Sequence, residues 1–441
     1  MNKKIFKIII LILLVVLTVA YTYYFRPIVD DELYNYGFSH NIINGLIPYK
    51  DFNMIIPPLF NYLLASVLLI FGSKLIIYHS VVALMIVSIS YMCYKEIGLK
   101  AIAIYSLLLI YPYAGYNIFS LLLLFILFYL NDKKIKNIDI IEAIIIGMLC
   151  LTKQTLALLV IPSIIISKNK KKTIAIYLLF ILSFLIYLIV NNTIIEFFDY
   201  CLFGMFDFAN KNSTGIDFLT VVEILIIIGL ISFSIKTKRK DIIYTLIFQI
   251  MALPIVNYIH FIISFIPVIY LLFREFKNNI YLNLFSMVTI ISFFIGFNFA
   301  VRIGGEDKNY LENYKVDNFM KGRVTYSITD DYVTDAKEYV DKYKEYKPFV
   351  FGRFSYLMKL NFNVPITKYD IINNGNMGYN GANRYIEEID NYCKDNKCLF
   401  IINDNEKDIS ITIQTNMEIL DYVKKNYSGI YNSNIYSVYI N

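Results

Sequence analysis

The sequence predicts a polytopic α-helical membrane bundle of about 11 transmembrane helices with outer interfacial helices, followed by a C-terminal extracytoplasmic α/β domain. Three observations carry this expectation. Hydrophobic residues make up 57% of the chain and charged residues 17%, whereas a soluble chain of this length carries about a quarter charged residues. The basic residues stand in short clusters between apolar runs, which is how cytoplasmic loops read. After residue 302 the apolar runs give way to mixed sequence rich in Asn, Asp, Lys and Tyr. The formal charge of +6 is modest and scattered over these loops, so nucleic acid is not an expected partner.

Residues 1–25 begin with a basic stretch and continue into a long apolar run that ends in an aromatic cluster without an A-x-A-like site. An uncleaved first helix fits this better than a removed signal peptide. Basic clusters at 3–4, 95–100, 133–136, 168–172, 236–240 and 274–277 are placed on the cytoplasmic side. Between them the chain must cross out and back, turning at 111–115, near 152–154, within 191–217 and near 254–260, before a last helix at 280–300. The run 57–72 opens with Pro57-Pro58 and is short for a crossing, so it reads as a helix at the outer interface. Residues 75–94 then span. This puts the N-terminus in the cytoplasm, with the first outer loop, 26–73, and the region 302–441 outside; residues 1–301 form the membrane domain.

In the C-terminal region, 348–352, 399–402 and 435–440 read as strands, and 382–394 and 417–426 have helical spacing. The polar, glycine-containing loop 373–385 reads as a surface turn with a glycan contact as its alternative. Cys393 and Cys398 are spaced compatibly with a local disulfide if they face an oxidising compartment, although spacing alone does not decide it. Cys93, Cys150 and Cys201 lie in or beside apolar segments and read as small packing residues. No His, Cys or carboxylate cluster has ligand spacing, so no cofactor is required, with a divalent metal left open.

The first outer loop is the most informative stretch. Asp30, Asp31 and Glu32 follow a spanning helix directly, where carboxylates at a membrane boundary cost little. Tyr34, Phe38, Ile42 and Ile43 then give a short helix one apolar face, Gly45 ends it, and Pro57-Pro58 starts the next helix. Two such helices lying on the membrane would hold the carboxylates between a lipid head group and an aqueous acceptor.

With Asp31-Glu32, Tyr34, Gly45, Tyr49-Lys50-Asp51, Pro57-Pro58-Leu59 and Phe71-Gly72 in that order, the loop resembles the first outer loop of GT-C glycosyltransferases. It is closest to the branch of protein O-mannosyltransferases and lipid A aminoarabinose transferases. The stretch 147–154, GMLCLTKQ, is similar to that family's Gly-x-x-x-x-Thr-Lys element. The match is strong over 30–72, fair to 162 and architectural beyond, and it departs at Ile56, where some branches carry Lys.

The resemblance implies inverting transfer of a sugar from a polyprenyl-phosphate-linked donor to a cell-surface glycan, lipid or protein acceptor, in a plasma membrane of bacterial style. Asp31 would be the catalytic base with Glu32 beside it, and Asp30 and Tyr34 would meet the acceptor. Lys153 is the first choice for the donor phosphate, because a charge interrupting an apolar hairpin usually faces a cavity or partner. His260 near an outer helix end, Asp51 and Arg302 are further donor-side candidates; each also has an ordinary structural reading as a packed His, a loop carboxylate or an interfacial anchor. Two other functions compete. A transporter or flippase of lipid-linked sugars would show internal symmetry and midplane charges, and a non-catalytic assembly protein would use the outer domain for binding alone.

Overall fold

The computed structural model describes residues 3–26, 30–110, 115–131, 133, 135–204, 218–250, 258–303, 311–313, 318–351, 359–360, 377–379, 381–402, 417–432 and 436–441. Helix α1 (Lys3–Tyr24) is followed by α2 (Asp30–Ile43) and α3 (Leu59–Phe71) of the first outer loop. The bundle continues through α4 (Leu75–Ile97), α5 (Ala101–Ile110), α6 (Gly115–Asn131), α7 (Ile138–Cys150), α8 (Val160–Ile166), α9 (Lys170–Asn191) and α10 (Ile194–Phe198). It ends with α11 (Phe218–Thr237), α12 (Lys240–Gln249), α13 (Tyr258–Glu275) and α14 (Ile280–Ile303).

Four apolar helical stretches among the described residues are long enough to cross a membrane: Ile5–Tyr24, Leu75–Ile110, Lys170–Asn191 and Phe218–Thr237. Shorter apolar helices at Leu59–Phe71, Gly115–Asn131, Gln154–Ile166 and Ile280–Phe293 accompany them. Helix α9 shows why water is excluded as their solvent. Leu178, Leu179, Ile181, Leu182, Ile186, Ile189 and Val190 all point out of the protein, and a contiguous apolar belt of that size needs lipid. The chain is a polytopic membrane protein. Within Leu75–Ile110 the chain reverses at Gly98, whose φ of 61° ends α4 and lets α5 fold back on it. Helix α14 runs to Ile303, past the end at 300 expected from the apolar run, so Arg302 lies in its last turn, with its side chain outside the described residues. Residues 111–114, 205–217 and 254–257 of the turns expected at 111–115, within 191–217 and near 254–260 also fall outside them.

After α14 come a short antiparallel pair, β1 (Leu311–Asn313) with β2 (Val324–Tyr326), and α15 (Ser327–Lys342). A four-stranded sheet follows, ordered β3 (Lys347–Phe351), β4 (Cys398–Ile402), β6 (Ser437–Ile440), β5 (Ser428–Asn432). β3 and β4 are parallel, and the remaining pairs are antiparallel. α16 (Gly381–Cys393) provides the crossover between the parallel strands, and α17 (Met417–Asn426) packs on it. β4 is buried along its whole length, as expected of a central strand flanked on both sides. Cys393 and Cys398 form a disulfide between the end of α16 and the start of β4.

The bundle is closest where the site is built. Gly115, the first residue of α6, donates its N–H to Tyr78 Oη on α4 at 3.1 Å. A Cβ there would lie 2.6 Å from the Phe60 ring of α3 and 3.0 Å from Tyr78 Oη. Phe60 and Tyr78 are themselves buried, so neither can swing aside freely. Replacing Gly115 by Val should therefore cost about 1–3 kcal/mol through overpacking. Thermal unfolding of the protein in lipid nanodiscs measures this, and an unchanged midpoint would show that the three helices have slack at this contact.

Candidate active site

Helix α2 begins at Asp30 and is fixed on several sides. Its first turn is closed by Asn35 Nδ2 donating to the Asp31 carbonyl at 2.7 Å. Asn61 Nδ2 of α3 donates to the Asn35 carbonyl at 3.1 Å. Tyr36 Oη donates to the Ser73 carbonyl at 3.0 Å, at the approach to α4. The single apolar face expected for this helix is not what forms. Glu32, Asn35, Ser39 and Asn41 are buried along with Leu33, Tyr36 and Phe38. The cause is cover from two elements: Asn61 of α3 meets Asn35 and Ser39, and a strap, residues 318–323, that arrives from beyond α14 covers Glu32 and Tyr36. The Phe319 ring stacks on Tyr36 at 5.3 Å, and its carbonyl accepts the Leu75 N–H that opens α4 at 2.7 Å.

Beneath the strap, Glu32 has no exposed surface. Arg323 holds it in two parallel bonds, Nε to Oε1 at 3.0 Å and Nη2 to Oε2 at 2.9 Å. His79 of α4 sits 2.8 Å from Oε1 through Nε2, and its Nδ1 is 2.9 Å from Thr22 Oγ1 of α1. Burial alone would push the Glu32 carboxyl up, but Arg323 and then His79 more than reverse this, holding it down at about 2. Glu32 thus faces inward, into a charge-compensated knot.

Asp31 turns the other way. It is half-buried, and its charge acts on Lys153, on Tyr116 of α6 and on Tyr78 of α4. Lys153 stands at the tip between α7 and the 3-10 turn Gln154–Leu159 that leads into α8. It is buried, donates to Asn117 Oδ1 of α6 at 3.2 Å, and lies 5.7 Å from the centre of the Tyr116 ring. Burial pulls the Lys153 ammonium down to about 7, opposed by the charge of Asp31. Its neighbour Gln154 pins the tip by donating to the carbonyls of Ile55 at 2.9 Å and Cys201 at 3.0 Å. The fold therefore brings Asp31 and Lys153 together with Asn117, Tyr116 and Tyr78. A half-exposed carboxylate whose charge reaches a buried amine is a pairing suited to acid–base chemistry beside an anion.

The other sequence candidates fall as follows. Asp51 accepts the Ile47 N–H at 2.7 Å and closes its own turn, in which Tyr49 adopts a left-handed φ of 71° secured by its hydroxyl bond to the Ile56 carbonyl at 2.7 Å. Tyr34 is half-buried on α2 and packs against the core. Asp30 is the first residue of α2, with its side chain outside the described residues. His260 is half-buried in the first turn of α13. Among the described residues no group of three or more His, Cys, Asp or Glu side chains converges to hold a metal. Sequence reasoning passed over Arg323, His79, Tyr78, Tyr116 and Asn117.

No protein-family model and no curated protein sequence matches the chain. Solved structures do. The crystal structure of ArnT from Cupriavidus metallidurans bound to undecaprenyl phosphate superposes with a TM-score of 0.60 at 9% identity, covering 98% of this chain and 97% of that one. The same protein in the apo state gives a TM-score of 0.59 at 9% identity, over 100% and 98% of the two chains. The chain has the ArnT fold. At this identity the likeness speaks for the fold alone.

The Glu32 knot makes stability depend on acid. Its carboxyl ionises more readily folded than unfolded, so its contribution is complete above about 4.5 and is lost as pH falls towards 2. Acid unfolding of the wild type in nanodiscs should show a loss on the order of 3 kcal/mol across that window. Glu32→Gln should abolish that pH-dependent component and, by leaving a buried guanidinium uncompensated, cost about 3–5 kcal/mol at neutral pH.

Proposed function

We propose that this protein is an inverting glycosyltransferase that moves a sugar from a polyprenyl-phosphate-linked donor to a hydroxyl acceptor at the outer face of a plasma membrane. The observation that carries the reading is that the charge of Asp31, at the start of α2, reaches the buried Lys153 and the Tyr78 and Tyr116 hydroxyls near the starts of α4 and α6. In support, the fold is that of a protein whose crystal structure holds undecaprenyl phosphate. A wholly apolar groove between α3, α4 and α6, lined by Phe60, Leu64, Val67, Val81, Met85 and Phe119, offers a path for a prenyl chain to the same helix ends. The Cys393–Cys398 disulfide suits a C-terminal region outside the cytoplasm, with the N-terminus inside.

The chemistry follows from the two environments. Asp31, ionised and half-exposed, takes the proton of the acceptor hydroxyl as its oxygen attacks the anomeric carbon. The bond from that carbon to the phosphate oxygen breaks on the opposite face, inverting the configuration and releasing polyprenyl phosphate with one more negative charge. Lys153, protonated when an anion sits beside it, meets that developing charge in a site with little water, where a cation is worth most. Glu32 has a supporting part because its oxygens are already engaged. Acceptors among cell-surface glycans, lipids and proteins, and the bacterial setting, belong to this same proposal.

Sugar transfer by the purified protein in lipid, with radiolabelled undecaprenyl-phosphate sugars and a panel of cell-surface acceptors, tests it. Asp31→Asn should lower transfer by about 10²–10⁴-fold while undecaprenyl phosphate still binds. Lys153→Met should weaken undecaprenyl phosphate binding by about 10–100-fold, the value of one charge-assisted bond. Transfer at wild-type rate by Asp31→Asn would remove Asp31 as the base. No transfer and no lipid-phosphate binding by the wild type across the panel would overturn the reading.

A further inference from the structure

The carboxylate beside the proposed base and the arginine that holds it are separated by 291 residues of chain. Arg323 belongs to the strap that follows the last long helix, and its guanidinium does three things at once. Two of its nitrogens clamp both oxygens of Glu32. Nη1 donates to the Tyr23 carbonyl at 2.8 Å and to the Arg26 carbonyl, groups that the end of α1 leaves without helical partners. The cation also lies 5.6 Å from the centre of the Tyr23 ring. The strap in turn is locked down: Tyr23 Oη donates to the Lys321 carbonyl at 2.8 Å, the Arg323 N–H donates to the Met320 carbonyl at 2.9 Å, and the Phe319 carbonyl caps α4. One planar fork therefore joins the exit of α1, the start of α2 and, through His79, the side of α4.

We infer that Arg323 is a positioning residue of the transfer site: clamped on Glu32, it fixes the first turn of α2 and so the aim of Asp31 at Lys153. The inference rests on the glycosyl-transfer reading above for its kinetic readout only. Adjacent residues on a helix diverge by about 100°, so the inward anchor at Glu32 dictates the direction of its neighbour Asp31. Without the anchor the first turn of α2 would be free to rotate or fray, as the ends of helices do when nothing holds them. A shift of about 1 Å in a catalytic group is enough to cost a large part of a rate. Lysine cannot replace this guanidinium, since a point charge does not bind both carboxylate oxygens and two carbonyls in one plane.

Arg323 acts through Glu32, so its signature differs from that of the two residues assigned to the chemistry. The full chain in nanodiscs is compared as wild type, Arg323→Gln, Arg323→Lys and, as a control on an exposed pair with Glu345, Lys397→Gln. Amide hydrogen exchange and transfer kinetics with a radiolabelled undecaprenyl-phosphate sugar are the readouts. Arg323→Gln should raise exchange in residues 30–36 by about tenfold or more, and lower kcat by about tenfold or more with the donor KM within about threefold. Arg323→Lys should fall between it and wild type, and Lys397→Gln should exchange as wild type. If Arg323→Gln does not fold, the pair Glu32→Gln/Arg323→Met removes both buried charges and should show the same local exchange and the same fall in kcat. Wild-type exchange in α2, a rise spread evenly over the whole chain, or a KM effect with kcat kept would overturn the inference. If the wild type transfers no sugar, the glycosyl-transfer reading fails separately, and the exchange of residues 30–36 still decides whether Arg323 anchors α2.

Discussion

A carboxylate with no exposed surface survives as an ion only when cations and donors replace its water, and at Glu32 that replacement organises the outer end of the molecule. Arg323 and His79 supply it, and each brings a different element: the strap after α14, and the side of α4. The same guanidinium closes the carbonyl end of α1. Exit helix, loop helix, spanning helix and C-terminal region thus meet at one ion pair. Breaking it would leave an uncompensated charge in the packed interior, which is why the arrangement is rigid.

Adjacent carboxylates on one helix are thereby given opposite surroundings. Glu32 is saturated and held strongly acidic, while Asp31 is half-exposed and its charge acts on a buried lysine. Environments that push neighbouring groups apart are how a site separates support from chemistry. Lys153 is held low by burial, and the tip that carries it is pinned by Gln154 to the first outer loop and to the segment around Cys201. A second, more exposed contact joins the C-terminal region to that segment: Arg384 and the Tyr379 N–H both bond the Asp199 carboxylate, at 2.6 and 2.9 Å, and Gly378 approaches so closely that a Cβ would strike it. The C-terminal region therefore holds both the start of α2, through Arg323, and the segment around Asp199.

What the sequence could show was local. Lys153 stood out because a cation inside an apolar hairpin is costly, and Asp31-Glu32, Gly45 and Pro57-Pro58 marked helix ends by their own chemistry. The apolar runs that became β3, β4 and β6 were short, continuous and bounded by polar residues. The edge strand β5, SGIYN, is exposed throughout and carries no such signal. Arg323 was illegible because its partner is distant in sequence, and nothing around it distinguishes it from other surface arginines. His79 offered a signal that went unused, as one of only 3 histidines and set within an apolar helix. The polar side of α2 was misread for a physical reason: Asn35, Ser39 and Asn41 look solvated in a periodic pattern, but protein covers them. Tyr78, Tyr116 and Asn117 sit near the ends of apolar helices, where polar residues are ordinary.

The account centres on a lipid phosphate binding between Lys153 and Asp31, and one measurement reaches that claim directly. It is an experimental structure of the protein in nanodiscs with undecaprenyl phosphate. The account predicts phosphate density within hydrogen-bonding distance of Lys153 Nζ, on the side facing Asp31, with the prenyl chain entering between α3, α4 and α6 and the Glu32–Arg323 pair unchanged. Phosphate bound elsewhere, with Lys153 still closed on Asn117, would contradict it.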